Sequence, residues 1–343
     1  MLKAWFQLMR PWSLTATFVP FFFALAVRFT HFPPDGWYGW GGRLYLAFAS
    51  AALLQIACNL LNTYGDDKSG VDAVEGAYVS TPQIRDGLVR RSSVLKAAIA
   101  ALVLGGALSV PLFIYEFGWE IRFNALAFAV GVVGFIGAVN YATLFRFKYR
   151  GLGVPFVFLL MGGIECAGFL FAGMPRICAD FCWIWSISSA CRAILWLVLL
   201  LVVIFVTTLP ISCQVAAILH GNDMRDIHSD AAAGIKTMAT RLGPEKALHL
   251  FRMLHILPYV FAGTLFLANS GYRIAMYGAP GYASLMQLLP FLAWPLTSAA
   301  IASAKRAYEA SPEHPMWFGL ERKSGAVHLV FGILWSISVA ACS

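Results

Sequence analysis

Charge is scarce in this sequence. Only 12% of the 343 residues are Asp, Glu, Lys or Arg, about half of what a soluble domain carries. With 59% hydrophobic residues and a mean hydropathy of +0.71, a water-soluble globule is excluded. Strand-like alternation is also missing from runs such as Leu195–Val206 and Phe123–Tyr141, which excludes a β-barrel and leaves helices as the way to satisfy the backbone in lipid. No Pro-, Gly- or Ser-rich linker and no low-complexity tract divides the chain, so residues 1–343 read as one membrane domain. The seven cysteines lack zinc-site spacing. Cys58, Cys166, Cys213 and Cys342 fall in or near apolar segments, while Cys178, Cys182 and Cys191 fall in an expected outer loop, free or bridged. The first apolar run has no small-residue cleavage site and further spans follow it, so it reads as a span and not as a cleavable leader.

What remains is a series of apolar segments. A crossing needs roughly 20 residues, and about nine segments meet that length, near 12–29, 43–62, 94–115, 123–144, 152–172, 193–219, 247–269, 283–303 and 325–342. The expectation is therefore an all-α polytopic bundle. The net charge of +8 is distributed as a topology signal and not as a nucleic-acid surface. With the N-terminus placed in the cytoplasm, nineteen of the 25 Lys and Arg fall on the inner side and six on the outer, as positive-inside insertion requires. This predicts an integral, multi-pass membrane protein.

Of the few acids, six lie in two clusters just past apolar segments: Asp66, Asp67 and Asp72 in one, Asp223, Asp226 and Asp230 in the other. The same topology puts both on the cytoplasmic side. Carboxylates beside a bilayer are costly unless a cation neutralises them. On a helix, Asn222, Asp226 and Asp230 are four apart and share a face. Three stacked oxygen donors suit a hard cation such as Mg2+, which takes few protein ligands and completes its shell with water and phosphate. His228 is off that face, against zinc. The first cluster is a stretched version: Asn62 and Asp66 are four apart, while Asp72 follows Gly70 and needs a bend. Either cluster alone reads more readily as a solvated loop; their similar spacing, similar position and common side favour metal. Downstream cations, Lys236 and Arg241 with Arg85, are candidates for phosphate oxygens, although each alone reads first as a topology charge. The segment Tyr141–Gly153 mixes Lys148 and Arg150 with Tyr141 and Tyr149. It reads either as an interfacial loop or as a diphosphate-binding stretch whose tyrosines face a cationic intermediate. Gly131, Gly134, Gly137, Gly162 and Gly163 are expected to let helices approach closely.

Asn59-Leu-Leu-Asn62-Thr-Tyr64-Gly-Asp66-Asp-Lys-Ser-Gly-Val-Asp72 resembles the first aspartate-rich motif of the UbiA-type intramembrane prenyltransferases, nearest to the branch that prenylates 1,4-dihydroxy-2-naphthoate in menaquinone biosynthesis. Asn222-Asp-Met-Arg225-Asp226-Ile-His-Ser-Asp230, running on to Lys236-Thr237 and Arg241-Leu-Gly243, resembles the second motif. Tyr149-Arg-Gly-Leu-Gly153, the Arg10-Pro11 pair and Gly87-Leu88 match further family signatures. The resemblance implies a helical bundle around a cavity open sideways to lipid. It implies Mg2+ held by Asn62, Asp66, Asp72, Asn222, Asp226 and Asp230, with the four aspartates as catalytic residues. It also implies a polyprenyl diphosphate on Arg85, Lys148, Arg225, Lys236 and Arg241, and an aromatic acceptor near Arg10, Tyr64, Tyr141 and Tyr149. Thr63, Asp223, Val154 and Phe145 depart from the usual pattern near the substrates, leaving the acceptor open among dihydroxynaphthoate, hydroxybenzoate, a futalosine-pathway acid, homogentisate and a chlorophyllide. A CDP-alcohol phosphotransferase is disfavoured by the lack of an Asp-Gly-x-x-Ala-Arg run. A transporter is disfavoured by acids at segment ends and not at midplane, with Glu165 as the main exception.

Overall fold

The computed structural model describes residues 1–31, 40–69, 82–117, 120–140, 147, 150–174, 190–279 and 281–342. The helices follow the apolar runs because each run must satisfy its own backbone hydrogen bonds away from water. After a short α1 (Leu2–Leu8) come α2 (Thr15–His31), α3 (Trp40–Ser69), α4 (Arg91–Ser109), α5 (Ala125–Asn140), α6 (Gly153–Gly173), α7 (Ala190–Arg225), α8 (Ile227–Ala232), α9 (Met238–Tyr277), α10 (Tyr282–Ala310) and α11 (Leu320–Cys342). Among the described residues, eight segments are long and apolar enough to cross a membrane. The ninth expected span is α5, apolar throughout but only 16 residues long as described. Between α4 and α5 lies a short antiparallel hairpin, Ile114–Phe117 with Glu120–Phe123. A hydropathy reading merges these strands with the flanking spans.

Two helices run well past the membrane-length segment that the sequence marks. α7 has 36 residues with Pro210 inside it, and α9 has 40. α9 bends at Gly243, whose φ of 74° and ψ of 169° break the helix before Pro244; only glycine takes that conformation without strain. α6 changes form along its length: Gly153–Val157 is α-helical, Phe158–Ile164 is π-helical and Glu165–Gly173 is α-helical again.

The core is aromatic. Phe21, Phe169, Phe171, Tyr259, Phe331 and Trp335 are buried in one cluster joining α2, α6, α9 and α11. Small residues bring the rods together. A Cβ on Gly332 would collide with Val19 Cγ1, and one on Gly162 would collide with Ser212 Oγ. Two polar side chains of the core are paired inside the bundle: Trp335 Nε1 donates to the Thr207 carbonyl at 2.8 Å, and Tyr259 shares a 2.6 Å hydrogen bond with Thr297. At the start of α3, Arg43 donates to four carbonyls, those of Ala172, Pro111, Ile114 and Leu112, closing the ends of α4 and α6. Arg28 adds a bond to the Gly173 carbonyl.

Candidate active site

One cavity of about 290 Å³ runs into the bundle between α2, α3, α5, α6 and α7. Asn62 from the first acidic motif and Asn222 from the second both line it, with Arg10, Asn59, Trp12 and Glu321. The two motifs, 160 positions apart in the chain, thus meet at one cavity. Away from them the wall is mainly apolar, with Leu54, Phe113, Val130, Phe156, Leu160 and Phe169.

Contacts fix this end. The α3 helix continues through Asn62, Tyr64 and Asp66 to Ser69. Asn62 is buried, Tyr64 and Asp66 are partly exposed, and Asp67 turns aside to pair with Arg91 at the start of α4. Asn59 Nδ2 donates to the Met9 carbonyl at 2.9 Å and to Ser13 Oγ at 2.8 Å, tying the N-terminal segment to the motif. Arg10 donates to Thr63 Oγ1 at 3.3 Å. It does so from a left-handed backbone, φ 49° and ψ 61°, the lone non-glycine of positive φ among the described residues. Arg322 lies 5.2 Å over the Trp12 ring, which brings the start of α11 to the same place.

The second motif keeps its helical ladder. Asp226 N donates to the Asn222 carbonyl at 3.2 Å and Asp230 N to the Asp226 carbonyl at 2.8 Å, so the three donors fall on successive turns despite a dent at Asp226. Arg225 is not an open phosphate ligand. Its side chain is 3% exposed, and it reaches Asp226 through Nε at 2.7 Å and Nη2 at 2.6 Å, and Glu321 through Nη1 at 3.1 Å. The side chain expected to face diphosphate thus lies buried between two carboxylates, Asp226 and Glu321. Glu321 carries no motif and escapes a sequence reading. Gly221 leaves room for it, because a Cβ there would stand 3.2 Å from the Glu321 amide nitrogen. His228 lies beside His314, ring centroids 4.7 Å apart. Its pKa is held below the ordinary imidazole value, first by partial burial and then by the neighbouring His314.

The remaining cations divide. Arg241 is exposed and donates to the Arg150 carbonyl at 2.7 Å. Gly151, at φ 70°, makes way for it: a Cβ there would run into Arg241 Nε. A parallel bridge joins Arg150 to Lys236. Arg241 therefore braces the loop before α6 against the loop after α8. Arg85 is exposed and pairs with its neighbour Asp86 at 3.1 Å. Asp72, Tyr141, Lys148 and Tyr149 lie outside the described residues, as do Cys178 and Cys182; Cys58, Cys166 and Cys213 are free thiols. Among the described residues no three His, Cys, Asp or Glu side chains stand close enough to form a metal cluster by themselves. The donor set is nonetheless chemically suited to Mg2+: the groups from both motifs are hard oxygen ligands, without sulfur or imidazole on their shared face.

Residues 17–318 match the family model described as the UbiA prenyltransferase family. Over 256 residues the chain is 26% identical to 1,4-dihydroxy-2-naphthoate octaprenyltransferase of Bacillus subtilis (strain 168), covering 74% of this chain and 71% of that protein. Over 254 residues it is 27% identical to UbiA prenyltransferase domain-containing protein 1 of Homo sapiens, covering 74% of this chain and 64% of that protein. The chain thus spans about two thirds of the length of these relatives. A UbiA homologue from Archaeoglobus fulgidus, solved bound to GPP and Mg2+, shares the fold with a TM-score of 0.57 at 15% identity, over 99% of both chains.

Proposed function

Since the chain belongs to the UbiA prenyltransferase family, we propose that it transfers a polyprenyl group from a polyprenyl diphosphate to an aromatic acceptor, with 1,4-dihydroxy-2-naphthoate as the acceptor, in menaquinone synthesis. The observation that carries this reading is the meeting of Asn62 and Asn222 at one cavity whose remaining wall is mainly apolar. Such a cavity suits a substrate with a charged head and a hydrocarbon tail. The family relation and the octaprenyltransferase relatives support the same class.

In this reading Asn62, Asp66 and Asp72 of the first motif, and Asn222, Asp226 and Asp230 of the second, would hold Mg2+. When bound, the metal supplies positive charge that stabilises a departing diphosphate. Arg225 keeps the Asp226 carboxylate oriented, and Glu321 in turn fixes Arg225. Lys236, Arg241, Arg85 and Lys148 take diphosphate oxygens. The apolar walls hold the allylic carbon against the acceptor ring and exclude water, which would otherwise capture the cation. Tyr64, Tyr141 and Tyr149 offer ring faces to that cation, and Arg10 receives the acceptor's carboxylate. The positive-inside skew supports a mouth at the cytoplasmic face.

Purified protein supplied with dihydroxynaphthoate and a polyprenyl diphosphate tests the reading by mass spectrometry. Asp66→Asn and Asp226→Asn should each reduce turnover at least a hundredfold while leaving the melting temperature within a few degrees. EDTA should abolish product and added Mg2+ restore it. Near-wild-type rates in either variant, or full activity in EDTA, would sink the assignment.

A further inference from the structure

Glu165 stands where hydropathy least expects an acid. It is twelve residues into α6, roughly 18 Å from Gly153 along the axis, and it lines the same cavity as Asn62 and Asn222. A carboxyl in a membrane interior costs stability and persists where it has a partner or a task. Among the described residues it has no ion-pair partner. Thr17 of α2 reaches toward it, but neither Glu165 Oε2 nor Thr17 Oγ1 completes a hydrogen bond, and both atoms are closed to bulk solvent. The wall nearby is Met161, Ile164, Gly168 and Phe169.

The backbone aims it. Glu165 is the first residue after the π-helical stretch Phe158–Ile164. A π turn absorbs an extra residue and rotates everything beyond it relative to a plain α-helix, by about 100° per residue. Gly162 and Gly163 let this wider stretch press against Ser212 and Phe205. The widened turn therefore decides which side of α6 meets the cavity at position 165.

The inference rests on the proposed reaction. A polyprenyl tail carries no hydrogen-bond donor and would leave this carboxyl unpaired. The diphosphate is taken at the asparagine end. A ring hydroxyl of the aromatic acceptor is the substrate group that has a proton to donate. We infer that Glu165, assisted by Thr17, is a specificity residue that accepts a hydrogen bond from an acceptor hydroxyl at the inner part of the cavity.

The test measures equilibrium binding to the full chain in detergent with Mg2+. The probes are geranylgeranyl diphosphate, 1,4-dihydroxy-2-naphthoate and 2-naphthoate, which keeps the ring and carboxylate without either hydroxyl. Wild type should prefer the dihydroxy compound by about tenfold, the worth of one net hydrogen bond. Glu165→Leu should bring the two naphthoates within twofold of each other, and Glu165→Gln, which keeps an acceptor oxygen, should retain most of the preference. All three proteins should bind the prenyl diphosphate alike, which also reports that they are folded. A tenfold preference surviving in Glu165→Leu, or absent from wild type, overturns the inference and leaves the prenyl-transfer reading standing. Failure of wild type to bind the prenyl diphosphate removes that reading, and the inference with it.

Discussion

Arg10 shows how single residues are constrained at this site. A bulky side chain in the left-handed region costs of order 1–2 kcal/mol, and the cost is borne where the guanidinium joins the cavity wall and reaches Thr63. Two substitutions separate backbone from side chain. Arg10→Ala loses the guanidinium and keeps the strained φ, whereas Arg10→Gly loses the guanidinium and relaxes the backbone. Arg10→Gly should therefore be the more stable variant by about 1 kcal/mol, read as a higher unfolding midpoint in detergent, while both lose acceptor affinity. The residue scale is also where the sequence is least legible. Asn62, Asn222 and their aspartates are visible because four-residue spacing is a property of the chain itself. The partner that closes Arg225, Glu321, lies 96 positions downstream in a stretch with no pattern, so the buried pair cannot be read from the chain. Arg225 in isolation looks like a free cation.

At the scale of elements, hydropathy locates the spans and misses their extensions. The α9 segment covers 40 residues across its break at Gly243, and its polar first turns, capped by Thr237 accepting from Thr240 N at 3.3 Å, carry no apolar signal. The π-helical stretch of α6 is illegible for a different reason: it is selected by packing against α7, not by local propensity. That packing gives a sharp expectation. In Gly162→Ala the new methyl runs into Ser212 Oγ and comes within 2.6 Å of the Ser212 backbone. Overpacking of this kind costs about 1–3 kcal/mol. The melting temperature should fall by several degrees. Adding Ser212→Gly should recover only part of the loss, since the clash with the backbone at position 212 remains. Full recovery in the double variant would show that the helices are not pressed backbone to backbone.

For the whole molecule, the two ends of the bundle are built differently. The end holding the acidic motifs is made of exposed cations, a dented helix and loops braced by Arg241 on Arg150. At the opposite end, Arg43 engages four carbonyls and Arg28 a fifth. Amide exchange should be slower across residues 43–47 and 169–173 than across 222–241, measured in the ligand-free protein; equal rates would remove the distinction. The mainly helical membrane architecture follows from the apolar runs of the chain. This polarity does not, because it depends on which carbonyls a lone arginine finds after the helices have assembled.

The bracket around Arg43 has a mechanical outcome. Three rods clasped at their far tips behave like tongs with a fixed pivot: they can spread only at the free tips. In the prenyl-transfer reading, widening of the cavity for a reactant would then fall at the acid-bearing end, with the clasp as fulcrum.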